Sequence, residues 1–207
     1  MRSSEYKVTQ LKVGGFDDNF SYLITAENGD AVIVDPCGDT NIIKTAFRNN
    51  KKIKPRYILL THSHNDHTSG IKAVQKFFPV DVYAHPKSAW HGAKHLTDCQ
   101  KLPFGKGFIE VLFTPGHSKD CVCYRLHDDS ALFTGDTLFI DWCGYCNAFE
   151  MFDTMRKILF PLADSNIVYS GHDYGRAPFA KLGEEKFRNP YLKSETFEEF
   201  KEALKNL

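Results

Sequence analysis

The chain has 207 residues, 42% of them hydrophobic, and its 26 lysines and arginines are matched by 26 aspartates and glutamates. This length fits one sizeable domain with a real core, and the balanced charge gives no basic surplus for a nucleic-acid partner. The N-terminus lacks the apolar stretch of a secretion signal, no window is long and apolar enough for a membrane span, and six cysteines are too sparse for a disulfide scaffold; a soluble, cytoplasmic protein with reduced thiols is expected.

In chain order, Tyr6, Val8, Leu11 and Val13 mark an alternating strand. Two further strand-like runs flank Asn28-Gly29, a pair that favours a tight hairpin turn. Residues 39–50 read as a helix with Ile42, Ile43, Ala46 and Phe47 on one face. Tyr57 to Leu60 is a short, wholly apolar run, as in a strand covered on both faces. His62, His64, Asp66 and His67 follow at once, in a loop before the helical spacing of Ile71, Val74 and Phe78. Val80 to Ala84 is another strand.

The second half repeats the order. Phe108 to Phe113 is a strand running into Thr114-Pro115-Gly116-His117. A hairpin turning at Asp128-Asp129 ends in Thr134-Gly135-Asp136. A helix over 148–160 carries Phe152, Met155 and Leu159 on one face, and a last strand ends in Ser170-Gly171-His172. Two similar sheet-and-helix layers packed face to face are expected. The tail at about 194–207 reads as an amphipathic helix with a Thr196/Glu199 capping box, facing the body through Phe197, Phe200 and Leu204. No long linker interrupts the chain, so residues 1–207 are expected to form a single domain.

Imidazole and carboxylate are ligands for zinc, iron and other first-row metals. One histidine would be unremarkable. Four such residues at one strand end, with His117, Asp136 and His172 each placed after an apolar strand and a glycine, converge on one sheet edge. Two metals held there lower the pKa of a bridging water toward neutrality and polarise a carbonyl. Asp66 can both bind metal and orient the resulting hydroxide. A thiolate leaves without a strong general acid, which makes a thioester a well-matched substrate.

The run Thr61-His62-Ser63-His64-Asn65-Asp66-His67 resembles the H-x-H-x-D-H signature of the metallo-β-lactamase superfamily. "TPGHS", "FTGDTLF" and "YSGHDYG" resemble its later motifs, in order, and the likeness runs from the first strand to about Leu192. It implies an αββα four-layer sandwich in the α/β class. It implies that His62, His64 and His117 bind a first divalent ion, that Asp66, His67 and His172 bind a second, and that Asp136 bridges them. Zinc comes first as the metal, with iron and manganese also compatible. The paired Asp66 and His67 differ from zinc β-lactamases with a cysteine in the second site. His64 differs from flavodiiron-type sites, which have glutamate there.

Within the superfamily the chain resembles the glyoxalase II group, hydrolases of S-acylglutathione thioesters. Tyr174 matches a tyrosine that the group places near the thioester. Tyr145 stands after Cys143-Gly144, where the group has arginine or lysine, and is the second expected substrate contact. Only 35 residues follow His172, too few for the C-terminal helical domain of full-length glyoxalase II, so a short form is expected. The tail also resembles short bacterial hydrolases, some of which act on acyl groups of carrier-protein pantetheine arms. The expected partner is therefore a small-molecule thioester or an acyl carrier protein. The alternative is a persulfide dioxygenase of the same fold, with one iron on His62, His117 and Asp136; such enzymes have an arginine and an aspartate after the Cys-Gly pair, and "CGYCNAFE" has neither.

Other suggestive residues are expected to be structural. Cys143 and Cys146 form a C-x-x-C without a second pair and read as thiols at a pocket rim. Cys121 and Cys123 share one face of a strand, and Cys37 is also read as packing. His91 and His95 have the i, i+4 spacing of a helix but, like His85, are read as surface or pocket-wall residues, and His127 as solvated at a hairpin tip. Asp35 either orients the ligand loop or caps a turn.

Overall fold

The computed structural model describes residues 5–50 and 52–207. Six strands form the first sheet, in chain order: Tyr6–Gly14 (β1), Asn19–Ala26 (β2), Asp30–Val34 (β3), Lys54–Leu59 (β4), Val82–Ala84 (β5) and Lys94–His95 (β6). Pairing is antiparallel from β1 to β3 and parallel from β3 to β6. The second sheet runs through Lys101–Phe104 (β7), Gly107–Phe113 (β8), Val122–Leu126 (β9), Ala131–Gly135 (β10), Ile167–Ser170 (β11) and Ala180–Lys181 (β12), with only β10 and β11 parallel.

Period-2 alternation explains how the sheets stack. Every residue of β2 is buried, because both of its faces are covered. Phe20, Tyr22 and Ile24 point between the sheets, where they join Val111, Tyr124 and Phe133 of the second sheet. Leu23 points outward, with Ile33 and Ile58, onto the helical layer that holds Ile43 of Thr40–Arg48 (α1) and Val74 of Ile71–Val74 (α3). The opposite outer layer covers Leu112 and Leu132 with Met151, Met155, Leu182, Tyr191 and Phe200. Those residues come from Ala148–Asp153 (α4) and its continuation, from Leu182–Arg188 (α5), from Pro190–Lys193 (α6) and from Phe197–Leu204 (α7). The order is helix, sheet, sheet, helix, the αββα sandwich expected.

The two sheets are stitched together at one edge. Val122 N–H donates to Thr61 O at 2.8 Å, Tyr124 Oη to Leu60 O at 2.6 Å, and Phe20 N–H to Gly171 O at 2.8 Å. This is the edge where β4, β10 and β11 end, so it holds the segments after them rigidly.

Some local expectations change. The helix over 148–160 is α-helical only to Asp153; Thr154–Leu159 continues it as a π-helix, and Thr154 Oγ1 donates to Pro115 O at 2.7 Å. His91 and His95 are not on a helix: His95 is in the two-residue strand β6, and both are exposed. His127 is only partly solvated. Its Nδ1 lies 3.0 Å from Tyr6 Oη, and its ring packs on Phe108 at 5.4 Å. The Thr196/Glu199 capping box is present on α7; Phe200 is buried, and Phe197 packs on Phe149 and Phe152. Among the described residues, no helix is long and apolar enough to cross a membrane.

Candidate metal centre

His62 and His64 lie in the loop after β4, whereas Asp66 and His67 lie on a helical turn, Asn65–Thr68 (α2), not in the loop expected. His117 follows β8, Asp136 follows β10 and His172 follows β11. All seven come together. Their donor atoms form three groups, each within 4.8 Å: His62 with His64 and His117; His62 with His67 and Asp136; Asp66 with His67 and His172. His62 Nε2 and His117 Nε2 each lie 3.0 Å from His64 Nδ1. His67 Nε2 lies 3.3 Å from His172 Nε2 and 3.3 Å from Asp66 Oδ2. Asp136 lies between the two sets: Oδ2 is 3.5 Å from His117 Nε2 and 3.3 Å from His172 Nε2, and Oδ1 is 3.2 Å from His67 Nε2. His64 is exposed and marks the mouth, while His62, His67, Asp136 and His172 are buried.

The outer ring nitrogens determine what faces inward. His117 Nδ1 lies 2.9 Å from Tyr145 O and His172 Nδ1 lies 2.6 Å from Asp17 O. Carbonyls only accept, so each Nδ1 carries the proton and each Nε2 turns a lone pair inward. The carboxylate of Asp35 imposes the same arrangement on His67, 3.0 Å from its Nδ1. Asp35 also accepts from Thr61 N–H at 2.7 Å and from Thr61 Oγ1 at 2.6 Å, and Thr61 Oγ1 is 3.1 Å from His62 Nδ1. Asp35 therefore orients the ligand loop, and does so from a left-handed backbone (φ 47°).

With the outer nitrogens protonated, the inner nitrogens crowd together and against carboxylates at hydrogen-bond distance, a donor set that extra protons or a cation must fill. Asp136 Oδ1 is buried without a hydrogen-bond partner despite its closeness to His67. Both features fit a cation. The electrostatics agree. Burial and the neighbouring His67 push the His62 imidazole well below its ordinary value, and burial also lowers His117. Burial would raise Asp136, but His67 and His172 override it and hold the carboxyl well below the usual range. Burial likewise opposes the shift of His172, but Asp136 and Asp66 carry it up to about 10; His67 is raised well above its usual value against the same burial effect. Close packing leaves no slack: a Cβ on Gly171 would meet Asp136 Oδ1 at 2.3 Å and His67 Cε1 at 2.8 Å.

The two tyrosines flank this centre. The Tyr174 ring stacks on His172 with centroids 4.8 Å apart, and its hydroxyl donates to the Asp17 carboxylate. Tyr145 is 82% exposed and meets the centre through its carbonyl alone. Three contacts lay outside the sequence reading: Asp17, Thr61 and Asn19, whose Nδ2 donates to Asp66 Oδ2 at 3.1 Å. Of the remaining candidates, His85 stacks on Phe113 at 4.4 Å. Cys143 is a buried and Cys146 a half-buried free thiol.

Residues 14–172 match the family described as the metallo-beta-lactamase superfamily. The chain belongs to that superfamily. It is similar to a probable hydroxyacylglutathione hydrolase of Schizosaccharomyces pombe, 35% identical over 87% of this chain and 72% of that protein. It is also similar to a probable polyketide biosynthesis zinc-dependent hydrolase of Bacillus subtilis, 30% identical over 88% of this chain and 85% of that one. Among solved structures, ETHE1 from Myxococcus xanthus superposes with a TM-score of 0.82 at 27% identity, covering 97% of this chain and 90% of that chain. Within the superfamily the chain is hydroxyacylglutathione hydrolase-like: a hydrolase with histidine and aspartate clusters suited to metal.

Proposed function

We propose that this protein hydrolyses thioesters with two divalent ions, zinc first, held by His62, His64 and His117 on one side and by Asp66, His67 and His172 on the other, with Asp136 between. The observation that carries this reading is the convergence of five imidazoles and two carboxylates in overlapping groups within 4.8 Å. The relatives named hydroxyacylglutathione hydrolase and zinc-dependent hydrolase support it. When bound, the ions supply an acidified water and a Lewis acid for the substrate carbonyl.

The chain's own residues do the rest. Asp66 is partly exposed at the mouth, and Asn19, His67 and His172 hold only its Oδ2. It is the group placed to orient the attacking water and accept its proton. Tyr174 is not the acid for the leaving group: burial and Asp17 hold its phenol proton on, and its hydroxyl is already committed as a donor. A leaving group that needs no acid, a thiolate, fits that environment. Tyr174 contributes its ring face beside His172, and residues 1–207 act as one catalytic unit.

The test is thiol release from S-lactoylglutathione and from an acyl-pantetheine thioester, with and without a chelator. Release that is lost on chelation and restored by zinc supports the proposal. Oxygen uptake with a glutathione persulfide, without thioester turnover, would assign the protein to the dioxygenase chemistry instead.

A further inference from the structure

The first sheet has a long unpaired edge. β1 is its outermost strand, nine residues from Tyr6 to Gly14, and it pairs on one side, with β2. An antiparallel strand turns the backbone groups of alternate residues toward its neighbour and those between them away. Glu27 N–H donates to Glu5 O at 3.2 Å, so Glu5 faces β2, and Lys7, Thr9 and Leu11 follow it at period 2. Phe20, opposite Lys12, gives its N–H to Gly171 O instead, as the same alternation requires. The N–H and C=O groups of Val8, Gln10 and Lys12 therefore point off the sheet, without a partner among the described residues.

Such an edge invites another strand. The charges at its two ends say which. Lys7 is exposed on the outer face of β1 and unpaired among the described residues; it is the one charged side chain lining a groove of about 820 Å³ between β1, β2 and α1. Asp39 is exposed at the other end of that face. Its N–H donates to Val13 O at 2.9 Å, and its carboxylate accepts from Asn41 of its own helix and meets no cation. A lone cation at one end and a lone anion at the other complement themselves across a two-fold axis.

The register follows from the outward groups. With the axis at Gln10, Gln10 pairs with the second copy's Gln10, and Val8 with its Lys12, so every outward N–H meets a carbonyl. Lys7 then falls beside the second copy's Val13, next to its Asp39. No lysine stands opposite a lysine, and Lys12 is already paired with Asp173 at 2.7 Å. An axis at Val8 would set Lys7 beside Thr9, away from Asp39.

We infer that this protein pairs with a second copy of itself through β1, Gln10 against Gln10, joining two six-stranded sheets into one. The inference stands on backbone register and charge, and is independent of the thioesterase reading.

The experiment is sedimentation velocity of the metal-loaded full chain from low to high micromolar concentration, with amide hydrogen exchange on the same samples. A monomer–dimer equilibrium is expected, with the Val8, Gln10 and Lys12 amides exchanging more slowly as the dimer fills. Val8→Pro removes an outward N–H and leaves the β1–β2 ladder intact. The two-fold loses that bond on both sides, so association should weaken by at least about tenfold. Lys7→Glu sets like charges together at both ends and should weaken it by about tenfold. Asp39→Asn, which keeps the helix cap, should recover part of that loss when added to Lys7→Glu. Wild-type metal content in each variant shows that the fold is kept. A chain that stays monomeric across the range overturns the inference. So does a dimer left at full strength by Val8→Pro or by Lys7→Glu, or one that forms without protecting the three amides.

Discussion

Asp35→Asn tests how the protein aims two of its histidines. Asp35 Oδ1 accepts from Thr61 N–H, and Oδ2 accepts from both Thr61 Oγ1 and His67 Nδ1, at 2.6 to 3.0 Å. Asparagine matches the shape and tolerates the left-handed backbone at this position. If its oxygen stays on Thr61 N–H, its NH2 meets His67 Nδ1 and Thr61 Oγ1. His67 must then move its proton to Nε2, which points into the site. Thr61 Oγ1, now an acceptor, turns its own proton toward His62 Nδ1 and presses the same tautomer on His62. Loss of such an outer partner costs about 10–100-fold in metal affinity. If the amide flips, its NH2 instead opposes Thr61 N–H in a buried position, a cost of about 1–3 kcal/mol in stability. Chelator competition reads the first outcome and thermal unfolding of the metal-free protein reads the second. Wild-type values in both would refute the claim that Asp35 sets these tautomers.

Asp136→Ala is expected to lose metal at both positions and turnover with it, read by elemental analysis of the purified variant; full metal content with near-normal turnover would remove Asp136 from the centre. Tyr174→Phe keeps the ring on His172 but releases Asp17, so metal content should stay intact while KM rises severalfold, and a loss of metal would make Tyr174 structural. Metal binding should also depend on pH. His172, raised to about 10, and His67, raised well above its usual value, leave the metal-free pair carrying at least one extra proton near neutrality. The ion must displace it, so affinity should rise by at least about tenfold per pH unit on going up from pH ~6. A flat profile in chelator competition would contradict that proton inventory.

The centre was legible because half of it is local. His62 to His67 crowd the end of an apolar strand, and His117, Asp136 and His172 each sit at the end of another strand. What supports them was not legible. Asn19 reaches Asp66 across 47 positions and Asp17 O reaches His172 across 155. Contacts of that span follow from how the β1–β2 turn folds over the sheet edge, and no local pattern encodes them. The two-residue strands β6 and β12 exist only because a neighbouring strand offers its edge. His91 and His95 are exposed, as expected, although their i, i+4 spacing marks no helix: His91 lies in a turn and His95 in β6. The π-helical stretch Thr154–Leu159 carries neither proline nor glycine to mark it. The contact that half-buries His127 was not legible either, because its partner, Tyr6, lies 121 positions away.

The most direct test of the account is a titration of the metal-free protein with zinc, following thiol release from an acyl thioester and bound metal together. The account predicts that turnover reaches its plateau as the second ion per chain binds. Full turnover with one ion bound, or turnover that persists with none, would contradict it.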